Sequence, residues 1–324
     1  MKLYKDADSN LNALKNKKIA VLGYGNQGKA QAQNLKDSGL EVIIGLKKES
    51  DKWQQAQDFG FEVFETSEAV KQADIIHILI PDEKQPKVFE ESIKPNLSEG
   101  NTISFSTGFG IHFGYINPPE NVNVVLVVPF SPGKEVRTDY LKQTGGPGMF
   151  AVNQDVGSAK EIVLGLAKAC GFTKRGVLES SFEEEAIQNL FGEQAAICGG
   201  QAELLKASFD TVVKAGYSPE IAYLEVVRQM NLLSNLIKEG GINFMWESIS
   251  NTAEYGGRTR GKKIIDDNVR KNMEGVLEEI KSGKFAREWM EEEKTGLKKL
   301  TQLRKEQNTD EVEIIGEKLR KEMK

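Results

Sequence analysis

The sequence predicts an α/β domain with a parallel sheet, followed by an all-helical domain. A chain of 324 residues is too long for one ordinary hydrophobic core. Its first 130 residues alternate short apolar runs with helix-length segments, which is typical of parallel strands joined by crossover helices. From about Ser181, apolar residues recur instead every three or four positions. We therefore place the domains at 1–182 and 183–324.

Seven apolar runs predict the strands of the first domain. In chain order they are KKIAVLG, EVIIGL, FEVF, ADIIHILI, NTISFS, NVVLVV and, after a turn-rich region, MFAV. His77 lies within the fourth run, and a lone histidine in a buried strand is usually a structural core residue. In the second domain, residues 183–216 and 218–241 each read as one long helix that ends at glycine.

Composition excludes several classes of protein. The 43 basic and 48 acidic residues give a net charge of -5, which argues against a nucleic-acid partner. The sequence contains no run of eighteen apolar residues, so it predicts no membrane-spanning helix. Its start, MKLYKDADSN, lacks the apolar core of a secretory signal. Two cysteines cannot form a disulfide framework. We expect a cytoplasmic protein without nucleic-acid or membrane partners.

A glycine motif predicts dinucleotide binding. Residues 18–28 read KIAVLGYGNQG, so that Gly23, Gly25 and Gly28 form G-x-G-x-x-G between an apolar strand and an amphipathic helix. The glycines permit a tight turn and close approach of a pyrophosphate, and the helix start directs N–H groups at that anion. The alternative is a purely structural glycine turn. The context favours a Rossmann-type nucleotide-binding domain.

The segment after the second strand bears on the choice of cofactor. A ribose 2′-phosphate, as in NADP(H), could be bound by Lys47, Ser50 and Lys52. The alternative is NAD(H), whose ribose 2′-hydroxyl could be bound by Glu49 or Asp51. A solvated charged loop with no ligand is a third interpretation. The sequence favours NADP(H) over NAD(H).

Two acid–amide pairs occur at helical spacing in the second domain. Asn189 and Glu193 lie four residues apart, as do Glu225 and Gln229, so each pair shares one helix face. Four carboxylates in that arrangement would form a cage for hard divalent cations. With two of the four replaced by amides, spacing alone leaves metal binding and an ordinary surface role both open.

The motifs together resemble the short, class I ketol-acid reductoisomerases. The shared phrases include GYGNQGKAQAQNL, IPDEKQP, GFGIHFG, NLFGEQAAICGG, SNTAEYG and EIIGEKLRKEM. The resemblance implies a Rossmann domain followed by a knotted helical domain, with active sites shared between two subunits of a dimer. It also implies conversion of 2-acetolactate or 2-aceto-2-hydroxybutyrate in valine and isoleucine biosynthesis. That reaction uses two Mg²⁺ ions for an alkyl migration and NADPH for the reduction.

Many of the family's functional positions match residues of this chain. The resemblance implies cofactor contacts at Tyr24, Gly25, Asn26, Gln27, Lys47, Ser50, Lys52, Asp82, Glu83, Lys84, Gln85 and Gly133. Lys47 occupies the position of an arginine, and Lys52 that of a serine. Ser250 matches the serine that binds substrate, and Glu193 and Glu225 match two metal-binding acids.

Four departures fall on the chemistry. Thr107 stands at the family's catalytic histidine and Phe130 at a lysine, while Asn189 and Gln229 replace two metal-binding acids. Two Mg²⁺ ions would bring four positive charges against two carboxylates, so we expect one ion at most. Thr107 cannot relay a proton near neutral pH as an imidazole does.

These residues leave three functions to test. The first is an NADP-binding oxidoreductase of this family whose magnesium-dependent isomerase step is impaired and which reduces a small keto-acid-type compound. The second is a catalytically silent paralogue that binds nucleotide and forms a heterodimer with an active reductoisomerase subunit. The third is the ordinary reductoisomerase, and for the first and third we expect a homodimer. The sequence does not choose between the first two.

Overall fold

The computed structural model describes residues 2–323 and divides the chain into two compact units, Met1–Ala186 and Ile187–Lys324. The first unit is an α/β domain and the second is helical, which confirms the predicted fold class. The division falls inside the helix Phe182–Gly192, whereas the sequence-based boundary lies at the start of that helix.

One nine-stranded sheet forms the centre of the first unit. Its strands are β1 (Leu3–Tyr4), β2 (Lys18–Leu22), β3 (Glu41–Leu46), β4 (Glu62–Glu65), β5 (Ile75–Ile78), β6 (Thr102–Phe105), β7 (Asn123–Pro129), β8 (Gly148–Gln154) and β9 (Val177–Glu179). Their order across the sheet is β1-β9-β8-β7-β6-β5-β2-β3-β4. All seven predicted runs form strands. The sequence did not predict β1 and β9, because two or three residues are too few to show a period.

The six strands from β4 to β7 in this order are parallel, and β8 and β9 are parallel to each other. Strand β8 pairs antiparallel with β7, and β1 pairs antiparallel with β9. Pro129 lies opposite Gly148 at the start of β8, and the Phe130 N–H donates to the Pro147 carbonyl at 2.9 Å. The chain between them therefore returns to the edge that it left, which reverses the direction of the next strand.

Helices cover the two faces of this sheet. They are α1 (Asn26–Asp37), α2 (Trp53–Asp58), α3 (Thr66–Gln72), α4 (Gln85–Val88), α5 (Phe109–His112), α6 (Gly133–Leu141) and α7 (Ala159–Ala169). Alternate residues of β2 enter different core clusters: Ile19 and Val21 pack with α1 and α7, whereas Ala20 and Leu22 pack on the opposite face. This period of two is expected of a strand buried on both sides.

The second unit consists of helices. They are α8 (Phe182–Gly192, which begins in the first unit), α9 (Gly199–Lys214), α10 (Pro219–Ala222), α11 (Met230–Glu247), α12 (Asn251–Ile264), α13 (Asp267–Lys281), α14 (Lys284–Lys294), α15 (Lys298–Gln307) and α16 (Glu311–Glu322). Each helix within residues 2–323 is too short or too polar to cross a lipid bilayer. The knot that the resemblance implies stays a prediction.

Both long helices predicted in this unit are interrupted. π-helical turns at Glu193–Ile197 and Tyr223–Arg228 precede α9 and α11. A Cβ atom at Gly200 would lie 2.1 Å from the Ala195 carbonyl oxygen, so the widened turn requires glycine there. The second predicted helix does not end at glycine, because the chain kinks at Gly241, where φ is 85°, and continues to Glu247.

Candidate active site

The sheet order places a topological switch beside β2. The chain passes from β2 to β3 on one side and later adds β5 on the other. In open α/β sheets, ligands bind at the carboxyl ends of the strands beside such a switch. Strands β2 to β7 are parallel, so the loops that follow them lie at one edge. This edge carries all the cofactor contacts predicted in the first unit, and Thr107.

Glycine occupies the three motif positions for different reasons. Gly23 adopts a φ of 98°, and a Cβ atom there would lie 2.7 Å from the Leu79 carbonyl oxygen. A Cβ atom at Gly28 would lie 2.2 Å from the Gly23 carbonyl oxygen. Around Gly25, by contrast, a Cβ atom would meet nothing within 4 Å. Gly23 and Gly28 are needed to fold the turn, whereas Gly25 leaves open space at the start of α1.

The loop after β7 is fixed against the first turn of α1. A Cβ atom at Gly133 would lie 2.1 Å from the Asn26 carbonyl oxygen, so only glycine permits this approach. The Gln27 side-chain amide donates to the Ser131 carbonyl at 2.9 Å. The structure therefore brings three predicted contacts, Asn26, Gln27 and Gly133, into one packed group.

Tyr24 differs from its neighbours in the glycine turn because its side chain is buried. Its ring packs edge-on against Phe61, and its hydroxyl accepts from Gln33 at 3.4 Å. Burial raises the pKa of this phenol. Any contact between Tyr24 and a nucleotide is therefore restricted to main-chain atoms.

The segment after β3 presents basic side chains on a tight turn. The Ser50 N–H donates to the Lys47 carbonyl at 3.2 Å, and the Lys52 N–H donates to the Ser50 hydroxyl at 3.3 Å. The Lys52 ammonium lies 3.3 Å from the Asp51 carboxylate, which offsets part of its charge. Lys47 is exposed and, within residues 2–323, forms no ion pair. Of the two lysines predicted to contact the cofactor, Lys47 is thus the one whose charge is less compensated.

An unpartnered acceptor lies in the loop after β5. Gln85 is 2% exposed, and its amide N–H₂ donates to the Ile80 carbonyl at 2.9 Å and to Asp82 at 3.1 Å. Its Oε1 atom is buried and has no hydrogen-bond partner among the described atoms. An unpaired buried acceptor costs about 1–3 kcal/mol, which a donor on a bound molecule would recover. This atom, the open Gly25 and the lysine turn fit a bound nucleotide.

The turn after β6 holds Thr107 through main-chain contacts. The Thr107 hydroxyl accepts from the Phe109 N–H at 3.3 Å, which leaves its own O–H available to donate. The next amide, that of Gly108, donates to the buried carboxylate of Glu185. Sequence reasoning missed Glu185, since it is one of three consecutive glutamates with nothing to distinguish it. Phe130 follows the neighbouring strand and is 58% exposed.

The helical unit holds the remaining predicted residues. The Gln229 side-chain amide donates to the Glu225 carboxylate at 2.6 Å, and both side chains are exposed, as are those of Asn189 and Glu193. Glu193 begins one π-helical turn and Glu225 lies within the other, and such turns are frequent at functional sites. The Ser250 hydroxyl caps α12 by accepting from the Ala253 N–H at 3.2 Å. No cluster of three or more histidine, cysteine or acidic side chains suited to a metal occurs between residues 2 and 323.

Comparison with known proteins identifies the family. Residues 13–176 match the model of the acetohydroxy acid isomeroreductase NADPH-binding domain, and residues 182–324 match that of the ketol-acid reductoisomerase C-terminal domain. The chain belongs to the ketol-acid reductoisomerase family. This membership confirms the resemblance drawn from the sequence motifs.

Relatives match the chain over nearly its full length. The ketol-acid reductoisomerase (NADP(+)) of Methanothermobacter thermautotrophicus is 51% identical, with 99% of this chain and 98% of the relative covered. That of Petrotoga mobilis is 54% identical, with coverages of 97% and 96%. A solved NADH-preferring ketol-acid reductoisomerase from an uncultured archean is 44% identical, with a TM-score of 0.96 and 99% of both chains covered.

Proposed function

We propose that this reductoisomerase-family protein binds NADPH and reduces a small keto-acid-type compound, while the magnesium-dependent alkyl migration is impaired. The proposal places it in the family's branched-chain amino-acid chemistry, in the cytoplasm. The observation that carries it is a contrast between the two units. The edge of the sheet at the carboxyl ends of β2 to β7, which we call the nucleotide edge, has an intact glycine turn and the unpaired buried acceptor Gln85 Oε1. The acid–amide pairs, by contrast, lack half of the negative charge that two cations need.

The nucleotide edge supports NADPH. We assign the pyrophosphate to the first turn of α1 beside Gly25, since the N–H groups of a helix start favour an anion. Lys47, Ser50 and Lys52 supply the cation and hydrogen-bond donors for a 2′-phosphate. Two relatives are named as NADP(+) enzymes, whereas the solved relative is NADH-preferring, so cofactor preference varies within the family.

The helical unit does not fit a pair of magnesium ions. Gln229 directs an N–H group, not an oxygen, at the Glu225 carboxylate. Mg²⁺ is bound through oxygen ligands, and an amide oxygen brings no charge. At about 4 Å and an effective dielectric near 20, each lost carboxylate removes several kcal/mol of attraction to a divalent ion. This donor set supports one ion at most.

The residues near the turn after β6 suit carbonyl reduction better than rearrangement. When bound, NADPH supplies a hydride to an electrophilic carbon. The Thr107 O–H donates a hydrogen bond to the substrate carbonyl oxygen, since its own oxygen already accepts from Phe109. After the hydride has reached the carbon, that oxygen takes its proton from water. Thr107 cannot shuttle a proton as an imidazole does, and Phe130 places an apolar ring where the family has a cation.

The deciding experiment compares two reactions in one preparation. We expect NADPH oxidation with a panel of 2-keto acids, unchanged by EDTA, and no turnover of 2-acetolactate with Mg²⁺ and NADPH. Brisk, Mg²⁺-dependent turnover of 2-acetolactate would overturn the proposal. NADPH binding without any turnover would instead favour the silent paralogue. Mass measurement of intact dimers after co-expression with an active reductoisomerase then distinguishes a homodimer from a heterodimer.

A further inference from the structure

A chain of polar side chains runs from the centre of the sheet to the nucleotide edge. His77, on β5, is 1% exposed; its Nδ1 lies 3.0 Å from the Ser104 hydroxyl and its Nε2 lies 2.9 Å from Gln31 Oε1. Gln31, on α1, is fully buried, and its amide donates to Gln27 Oε1 at 3.1 Å. Gln27 in turn donates to the Ser131 carbonyl at 2.9 Å.

The last acceptor fixes the direction of every hydrogen bond in this chain. A backbone carbonyl only accepts, so the N–H₂ end of Gln27 faces Ser131 and its oxygen faces Gln31. The N–H₂ end of Gln31 therefore faces Gln27, and its oxygen faces His77. It follows that His77 Nε2 carries the proton, and that unprotonated Nδ1 accepts from the Ser104 hydroxyl.

The chain ends between the first turn of α1 and the loop after β7. Gln27 lies in the first turn of α1, next to Gly25 and Asn26, and Ser131 belongs to the loop whose Gly133 packs on Asn26. A side branch reaches the turn after β6, because Gln31 Nε2 also lies 3.4 Å from the Ser106 hydroxyl, which donates to the Val127 carbonyl at 2.7 Å. Buried networks of this kind hold their members rigid only while every group is satisfied.

We propose that His77 and Gln31 are positioning residues, which hold Gln27 and the loop after β7 in the geometry that binds the nucleotide. This inference rests on the proposed NADPH binding. Without the His77 N–H, Gln31 Oε1 loses its donor, apart from the thiol of Cys170 at 3.9 Å, and the amide is free to turn. Gln27 then loses the partner that orients it toward Ser131, and the turn around Gly25 loosens.

The test separates positioning from general stability. His77→Met keeps the volume but removes both hydrogen bonds, whereas His77→Gln keeps an N–H that reaches Gln31. We expect His77→Met to raise the Kd of NADPH, measured by fluorescence titration, by about tenfold, the equivalent of one well-placed hydrogen bond. We expect His77→Gln to recover most of that loss.

Asn123→Val is the matched control. Asn123 is buried at the start of β7, where it donates to Thr102 and to the Gly157 carbonyl, away from the nucleotide edge. This variant should lower the melting temperature and leave the Kd unchanged. If His77→Met does not fold, Ser104→Ala serves in its place, since it removes only the distal donor and should raise the Kd about threefold.

Two failures are distinguishable. If the unmodified protein does not bind NADPH, the proposed function fails, and this inference fails with it. If the unmodified protein binds NADPH and the folded His77 or Ser104 variants bind it equally well, only the positioning role is overturned. An equal loss of affinity in Asn123→Val would also overturn it.

Discussion

At the level of single residues, a substitution at Gly25 should impair nucleotide binding without impairing folding. Because a Cβ atom there meets nothing within 4 Å and φ is -76°, Gly25→Ala should fold normally. Losing glycine at the helix N-cap costs at most about 1 kcal/mol. The added methyl group occupies space that we assign to the pyrophosphate, so the Kd of NADPH should rise by about tenfold or more. Calorimetric titration and a thermal melt of the free protein measure the two effects.

Gly23→Ala is the contrasting variant. Its Cβ atom would lie 2.7 Å from a carbonyl oxygen at a φ of 98°, so the free protein itself should be destabilised. If Gly25→Ala binds NADPH as well as the unmodified protein does, the nucleotide does not approach this turn.

His77 also gives a pH dependence of stability. Burial lowers its pKa from 6.5 to about 4 in the folded state. Below pH 6.5 the His77 imidazole binds a proton in the unfolded chain, whereas in the folded chain it does so only below about pH 4. The free energy of unfolding therefore falls as the pH falls from 6.5 to about 4. The loss amounts to about 3 kcal/mol. Between pH 7 and pH 4, the free energy of unfolding measured with urea should therefore fall more steeply in the unmodified protein than in His77→Gln.

Acidic groups set the background of that experiment. Hydrogen bonds from Lys160 and Tyr4 lower the pKa of Glu179, so its stabilisation is also lost in acid, but equally in both proteins. Parallel pH profiles for the two proteins would show that His77 takes up no extra proton on unfolding, and hence that burial does not lower its pKa.

At the level of elements, the turn after β3 should set the choice of cofactor. Lys47 has no ion pair within the described part of the chain, whereas Asp51 lies beside Lys52. We expect Lys47→Ala to raise the Kd of NADPH by about tenfold, since a hydrogen bond to a charged group contributes about 1.5–3 kcal/mol. The Kd of NADH, which lacks the 2′-phosphate, should not change.

Lys48→Ala is the control for the charge of this turn. It removes the same formal charge from the neighbouring exposed position. If both variants weaken NADPH equally, the turn acts only through its overall charge and Lys47 contacts no phosphate.

The π-helical turn around Glu225 permits a test of the missing charge. In Gln229→Glu, the N–H group that now lies 2.6 Å from Glu225 is replaced by a second carboxylate. Like charges at this spacing destabilise a helix by about 0.2–0.5 kcal/mol, so the melting temperature should fall slightly in EDTA. Added Mg²⁺ should raise it again in Gln229→Glu, and more strongly with Asn189→Asp.

The unmodified protein provides the comparison. Its melting temperature should respond little to Mg²⁺, since its acid–amide pairs bring only two carboxylates. An equally strong response to Mg²⁺ in the unmodified protein would contradict the impaired metal site.

Strong periods and motifs made the seven longer strands and the start of α1 predictable from sequence. The features that were missed depend on contacts that no local pattern encodes. Strand β9 exists because it pairs with β8, and Glu185 matters because folding brings it to the Gly108 amide. The π-helical turn before α9 leaves a hint in Gly199 and Gly200, but a helical period alone does not reveal an extra residue in one turn.

At the level of the whole molecule, the two units bury very different amounts of apolar surface. Two large core clusters cover the faces of the sheet in the first unit. The cluster in the second unit is small, with four buried members: Phe209, Ala222, Tyr223 and Leu319. Large apolar side chains of the second unit are exposed instead: Ile197, Leu204, Tyr217, Ile221, Leu232, Ile237, Ile242, Tyr255, Ile264, Leu303 and Ile314. Exposed apolar side chains of this kind mark a protein interface where they form a contiguous patch.

We therefore predict that the helical unit is stable only as part of a dimer. Burying these side chains against a second copy supplies the apolar contact that the unit lacks, and the stability of such a dimer depends on protein concentration. The melting temperature should rise over a hundredfold increase in concentration, and native mass spectrometry should show twice the mass of one chain. A monomer with a melting temperature independent of concentration would mean that the helical unit is stable despite its small core.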